Sequence, residues 1–297
     1  MKILVSGASG LIGSALVPAL AGEGHQVLRL VRRPPRRDEA SWDPVTGVVD
    51  PAALAGADAL VHLAGENIAG RWTAGRKRRI RASRVEVTRS LCETLARSAS
   101  RPGVLVCASA IGYYGDRGTE PLTEDSAPGH GFLADVCRDW EAATGPAAQS
   151  GIRVVNVRFG VVLSPRGGAL AKVLLPFRLG LGGVVGNGRQ FWSWVALEDV
   201  VGAIRHALVT DRLRGPVNVV APNPVPNSEF TRTLGRVLRR PTIFPLPAPA
   251  ARLLLGEMAD ALLLASAQVQ PIRLEGSGYP FQFRDLEPAL RSLLGLV

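Results

Sequence analysis

A short apolar run, Lys2-Ile3-Leu4-Val5-Ser6, stops at Gly7-Ala8-Ser9-Gly10-Leu11-Ile12-Gly13, and a helical pattern begins at Leu11. Glycines at this spacing, between a strand and a helix, suit the pyrophosphate of a dinucleotide. Gly7 permits the tight turn, Gly10 lets backbone approach the phosphates, and Gly13 allows close helix–strand packing. The helix start then offers unpaired N–H groups and a partial positive charge. Ser9, Leu11 and Ile12 share the turn and join the three glycines as candidate cofactor contacts.

The next strand selects the dinucleotide. NAD-specific proteins usually place an acid about 20 residues past the turn, where it bonds the ribose hydroxyls. Here the strand ends Leu30-Val31-Arg32-Arg33, and no acid occurs from Gln26 until Asp38. Guanidiniums at that point complement a 2′-phosphate, so Val31, Arg32 and Arg33 point to NADP(H).

Such residues work together only if a parallel sheet delivers them to one edge. Apolar runs at 2–6, 27–31, 59–63, 104–108, about 153–159 and 217–220 read as strands. Helical spacing over 11–22, about 74–98, about 132–148 and about 197–209 places helices between them. The alternation predicts an α/β fold, a Rossmann-type doubly wound parallel sheet covered on both faces. Glycines and prolines punctuate 164–188, and 221–297 is richer in proline, which predicts a smaller α+β C-terminal substrate lobe. The expected division is a dinucleotide-binding domain over 1–163, with 195–220 returning to it, and a substrate lobe from 164–194 and 221–297.

Composition sets the outer limits. The 297 residues are 46% hydrophobic and 20% charged, too apolar for a disordered chain. The apolar stretch 261–267 is too short to span a bilayer, and the first residues lack a signal-peptide core. Cys92, Cys107 and Cys137 are widely spaced, so neither a disulfide framework nor a metal site is expected. A soluble cytoplasmic protein without membrane association is expected, as a monomer or homodimer acting on a small-molecule substrate. The net charge of +10 comes mostly from arginine, lysine being present only at Lys2, Lys77 and Lys172. Arg71, Arg76, Lys77, Arg78, Arg79, Arg81 and Arg84 form the densest cluster. No nucleic-acid motif accompanies it, so it reads as a solvated helix face with one or two arginines turned to an anionic ligand, and no specific nucleic acid is expected.

Together these segments resemble the extended short-chain dehydrogenase/reductase superfamily. The closer likeness is to its atypical "epimerase family" branch with a conserved C-terminal domain. Gly7–Gly13, Ser41-Trp42-Asp43-Pro44, Leu63-Ala64-Gly65-Glu66-Asn67-Ile68, Ser83-Arg84 and Gly112-Tyr113-Tyr114-Gly115 carry it. Further on, Trp140-Glu141, Arg158–Leu163, Leu175–Gly180, Phe191-Trp192-Ser193-Trp194 and Glu198-Asp199 continue it. The resemblance implies that Leu63 and Ala64 contact the cofactor from a strand end, with Glu66 just beyond. It places Arg84, and more weakly Arg79, near the cofactor, and Val162 at its nicotinamide end. Trp42 reads as packing and Asp43 as a turn cap.

One departure matters for chemistry. Members of the superfamily move a proton with a tyrosine placed four residues before a lysine, and no Tyr-x-x-x-Lys occurs here. Alignment on Tyr114-Gly115 puts Phe132 and Val136 near those two positions, and Ala110 where a hydroxyl residue belongs, with Ser109 one earlier. Phenylalanine cannot transfer a proton. The candidate catalytic residues are therefore Tyr113 and Ser109, with Tyr114, Glu66, His130 and Asp135 behind them. Arg117, four residues after Tyr113, brings charge but is a poor proton shuttle. Phe191, Trp192 and Trp194 read either as the wall of a substrate cleft or as core. Two functions stay open: an NADP(H)-dependent oxidoreductase or epimerase-like enzyme with an unusual proton donor, and a catalytically silent NADP(H)-binding sensor or scaffold.

Overall fold

Val104 to Ser109 is buried residue after residue, as a strand covered on both faces must be. In the computed structural model, which describes residues 1–296, this run belongs to a seven-stranded parallel sheet. The chain begins β1 (Lys2–Ser6), α1 (Leu11–Gly22), β2 (Gln26–Val31), β3 (Glu39–Ser41), α2 (Pro51–Leu54) and β4 (Ala59–His62). It continues α3 (Ala74–Ala82), α4 (Val85–Arg97), β5 (Val104–Ala110), a 3₁₀ turn over Ile111–Tyr114, β6 (Pro121–Leu122), α5 (Phe132–Ala142), α6 (Gly145–Gln149) and β7 (Arg153–Phe159). Next come β8 (Val161–Ser164), α7 (Gly168–Arg178), β9 (Phe191–Trp192), β10 (Trp194–Ala196), α8 (Leu197–Val209) and β11 (Gly215–Val219). The sheet order is β3-β2-β1-β4-β5-β7-β11. Strand order reverses at β1, whose neighbours are β2 and β4, and sheets of this order bind ligands in the crevice beyond those carboxyl ends. This is the Rossmann arrangement.

The remaining chain is largely helical. It runs β12 (Val225–Pro226), α9 (Asn227–Leu238), α10 (Ala248–Leu255), a π-helical turn Ala259–Leu264, β13 (Gln268–Val269), α11 (Ile272–Gly276) and α12 (Leu286–Leu293). A second core joins α7, β8 and β10 to α9 and α12 through Leu170, Leu174, Phe177, Trp194, Phe230, Leu234 and Leu290. The segment around α11 instead turns back to the main sheet. Leu274 belongs to the main core, with Tyr279 and Phe281 packed against it, and β13 pairs with β6.

The structure revises several boundaries. The single helix expected over 74–98 is broken at Ser83-Arg84. Ser83 Oγ donates to the Ile80 carbonyl and accepts the Glu66 N–H, both at 3.0 Å, so the turn is tied to the loop after β4 instead of continuing. The helix expected over 132–148 also divides. Thr144 Oγ1 bonds back to the Glu141 carbonyl at 2.7 Å, and Gly145-Pro146 starts α6 afresh. Strand β3 escapes the periodicity because it is only three residues long. Trp194 is fully buried in the second core, with its indole N–H on the Asn223 carbonyl at 3.1 Å, so it is no cleft wall.

Candidate functional site

At the turn after β1, Gly7 has φ +69, and a Cβ there would lie 2.6 Å from the Leu63 carbonyl carbon. Only glycine lets the end of β1 sit this close to the chain leaving β4. A Cβ on Gly13 would lie 2.4 Å from the Gly7 oxygen, so α1 is seated directly on the turn. Gly10 caps α1, with its own N–H on the Gly7 carbonyl at 3.0 Å. The first helical N–H with an acceptor in the chain is that of Ser14, on the Gly10 carbonyl at 2.9 Å. The N–H groups of Leu11, Ile12 and Gly13 are left open toward the crevice, and no acidic residue occupies the first turn. This is the anion-binding end of a helix. Ser9 is exposed beside it, while Leu11 meets the Gly167-Gly168 loop that begins α7.

The opposite lip is built by the break between α3 and α4. Arg84 is partly buried there, with its guanidinium carbon 5.2 Å from the Trp140 ring centroid. Its only hydrogen-bond acceptors among the described residues are the Ile80 carbonyl at 3.3 Å and Ser83 Oγ at 3.4 Å. A Cβ on Gly65 would stand 3.4 Å from that guanidinium, which places it against the Leu63-Ala64-Gly65 chain leaving β4. Burial pulls its pKa below the ordinary arginine value, with only the more distant Cys137 and Glu66 opposing. A cation desolvated without a carboxylate partner is what an anionic ligand would complete. Glu66 lies at the rim, 3.8 Å from Arg79 across an exposed pair. Leu63 and Ala64 are half-buried at the strand end, and Val162 is half-buried on β8, opposite Val195 of β10.

At the end of β2 the two arginines part company. Arg33 is spoken for: Nη1 and Nη2 each donate to the Glu39 carboxylate at 2.8 Å, and the Arg36 N–H adds a third donor. Those bonds hold the Glu39 carboxyl below its usual range. Arg32, next to Val31, is exposed and forms no ion pair among the described residues. Of the two, Arg32 is the one without a carboxylate partner among the described residues.

Beyond β5 the geometry sorts the catalytic candidates. Ser109 is 3% exposed and its hydroxyl donates to Glu141 Oε1 at 2.7 Å, so it faces an internal carboxylate and not the crevice. Arg158 of β7 completes a buried pair, its Nε and Nη2 reaching the two Glu141 oxygens at 2.7 and 2.8 Å. Its Nη1 donates to the Tyr114 hydroxyl at 2.9 Å. Tyr114 donates in turn to Asn218 Oδ1 at 2.7 Å, and burial pushes its phenol up to about 12. A buried, fully bonded phenol of that kind is a structural post. Tyr113 differs. Its ring is half-buried under the Arg158 guanidinium at 3.5 Å, and among the described residues its hydroxyl has no hydrogen-bond partner. Arg117 instead pairs with Glu120 at 2.6 Å, so the cation beside Tyr113 is Arg158, which spacing along the chain could not reveal.

Phe132 opens α5 and packs edge-on to Trp72 at 5.3 Å, with Lys77 Nζ 4.8 Å above its ring, and Val136 is buried. His130 is exposed, and Asp135 pairs with Arg138 at 3.0 Å. Asp43 caps its turn, accepting from the Val45 N–H and Thr46 Oγ1 at 2.9 and 2.8 Å. Trp42 packs edge-on to His62 at 5.7 Å. Burial carries the thiols of Cys92 and Cys137 up to about 12 and raises that of Cys107 well above its ordinary value, which disfavours the thiolate at all three. Among the described residues, no group of His, Cys, Asp and Glu could hold a metal ion, and no helix is long and apolar enough to cross a membrane. In the arginine cluster, Lys77 is taken by Glu257 at 2.8 Å and Arg81 by Asp139 at 2.5 Å. Arg76 Nη2 is taken by the Asn67 and Ala69 carbonyls.

Known proteins resemble this chain in sequence and fold. Residues 3–220 match the model of the NAD dependent epimerase/dehydratase family, and residues 246–293 match a domain of unknown function (DUF1731). An epimerase family protein of Mycobacterium tuberculosis is 46% identical over 292 residues, covering 97% of this chain and 96% of that one. Human epimerase family protein SDR39U1 is 37% identical over 298 residues, covering 99% of this chain and all of its own. The crystal structure of that human protein (isoform 2) with NADPH superposes with a TM-score of 0.92 at 35% identity, over the whole of both chains.

Proposed function

The chain belongs to the NAD dependent epimerase/dehydratase family, and from that premise we propose that it binds NADP(H) in the β1/β4 crevice and exchanges hydride with a small molecule. The observation that carries this reading is the pairing of open α1 N–H groups with Arg84, a half-buried cation lacking a carboxylate. Those groups suit the pyrophosphate, and Arg32 suits a 2′-phosphate. The NADPH held by the human relative supports the same choice.

Bound NADP(H) supplies or accepts the hydride at its nicotinamide. The chain must then move one proton at the substrate oxygen. Tyr113 is our candidate for this: among the described residues its hydroxyl has no hydrogen-bond partner, and the Arg158 guanidinium lies over its ring. In the reducing direction the phenol gives its proton to the oxygen as the carbonyl carbon takes hydride. In the oxidising direction it receives that proton back. Ser109 braces Glu141 and takes no part, while Glu66 at the rim is the second donor.

The silent-binder reading has one observation in its favour, the apolar Phe132 and Val136 near the positions of the usual proton-transfer pair. NADPH oxidation across a panel of ketones, aldehydes and nucleotide sugars separates the two. The proposal predicts turnover confined to few substrates, lowered about 10²–10⁴-fold by Tyr113→Phe, with NADPH affinity retained. Turnover of a generic aldehyde unaffected by Tyr113→Phe refutes the assignment, and NADPH binding without turnover of any substrate favours the silent reading.

A further inference from the structure

A second group of arginines lies away from the crevice. Arg212, Leu213 and Arg214, between α8 and β11, face Arg273, Gly276 and Ser277 of the α11 region across a depression of about 300 Å³. It sits at the amino end of β11, whereas the dinucleotide crevice lies beyond the carboxyl ends of the strands.

The charges around it do not balance locally. Arg212 and Arg214 are exposed, and among the described residues neither meets a carboxylate. Of the nearby acids, one is bound within the group itself and two pair with arginines outside it. Asp125 accepts from Arg273 Nη2 at 2.8 Å, Asp211 lies 3.6 Å from Arg153 Nε, and Glu275 accepts from Arg284 at 2.7 Å. Carbonyls at the end of α8 and in the loop after it, which would otherwise repel an anion, are taken by Arg153. Its Nη1 bonds the Ala207 and Leu213 oxygens at 2.9 and 3.1 Å, and its Nη2 bonds the Leu208 oxygen at 2.8 Å. Arg273 is fixed in advance by its Nη1 on the Pro216 carbonyl at 2.9 Å and its main-chain N–H on Glu124 Oε1 at 3.2 Å. After burial, the Arg212 charge is the next cause lowering the pKa of His206, which is bonded to Ser277 Oγ at 2.8 Å.

We propose that this depression is a second anion site, taking the phosphoryl group of a small molecule between Arg212, Arg214 and the pre-positioned Arg273. Guanidinium forks match the tetrahedral oxyanion, and the volume leaves room for the group that carries it. The site is independent of the crevice and of the reaction proposed there.

Inorganic phosphate, titrated calorimetrically into the full chain at constant ionic strength, tests it in wild type, R212A/R214A and Arg84→Ala. Because both replaced side chains in the double variant are exposed, its melting temperature without phosphate and its NADPH affinity stay at wild-type values. The proposal predicts a saturable phosphate site that persists in Arg84→Ala and weakens about tenfold or more in R212A/R214A. Isotherms identical in wild type and R212A/R214A, phosphate binding lost in Arg84→Ala alone, or no phosphate binding at all would overturn it. Failure of wild type to bind NADPH would instead remove the functional proposal and leave this one standing.

Discussion

The guanidinium of Arg158 lies 3.5 Å from the centroid of the Tyr113 ring and is itself held by the Glu141 carboxylate at 2.7 and 2.8 Å. One buried ion pair thus supports both the end of β5 and the ring proposed to move the proton. Removing one partner leaves the other charged and buried, at a cost of about 3–5 kcal/mol.

Arg158→Met is accordingly expected to lower stability by about that amount in urea unfolding, and Arg158→Met combined with Glu141→Leu to recover much of it. A loss below about 1 kcal/mol for the single variant would show that the pair is not desolvated as described.

The glycine turn predicts opposite outcomes at two positions. Gly10 has φ −74, and a Cβ would approach only the Gly7 oxygen, at 3.3 Å. Gly10→Val should therefore fold and lose cofactor affinity. At Gly13 the Cβ would collide with backbone at 2.4 Å, so Gly13→Val should lower the melting temperature sharply. Circular dichroism melts with NADPH titrations check both, and unchanged NADPH binding in a folded Gly10→Val protein would exclude the turn as the phosphate site.

Beneath the turn, His62 is fully buried, with Nδ1 2.7 Å from Ser6 Oγ and Nε2 3.1 Å from Thr88 Oγ1. Burial lowers its pKa from 6.5 to about 4. Between these values the unfolded chain binds the proton that the folded chain refuses, so stability falls as pH drops through this window. The expected contribution is about 3 kcal/mol, present in full above pH 6.5 and gone below about 4. His62→Gln, which cannot titrate, should flatten this part of the stability profile. An equally steep profile in the variant would place the titration elsewhere.

Much of this was legible in the chain. The turn at Gly7–Gly13 and the long buried strands announce themselves because glycine spacing and apolar runs are local signals. Arg33 was not separable from Arg32, because its partner Glu39 belongs to a three-residue strand behind Pro34-Pro35. The role of Arg158 was hidden for a related reason. Its partners Glu141, Tyr113 and Tyr114 come from α5 and the turn after β5, and only the folded sheet brings them together. Ser109 became a candidate because the resemblance put it one residue before the hydroxyl position, but its hydroxyl is turned to Glu141.

The central claim is a cofactor crevice with Arg32 at its 2′-phosphate end. Titrating NADPH and NADH into wild type, Arg32→Ala and Arg33→Ala, with binding followed by calorimetry, tests it most directly. A charge-assisted contact contributes about 1.5–3 kcal/mol, so NADPH should bind wild type about 10- to 100-fold more tightly than NADH. Arg32→Ala should erase most of that preference, and Arg33→Ala should leave most of it. Equal affinities for the two cofactors in wild type, or a preference that survives Arg32→Ala intact, would contradict the account.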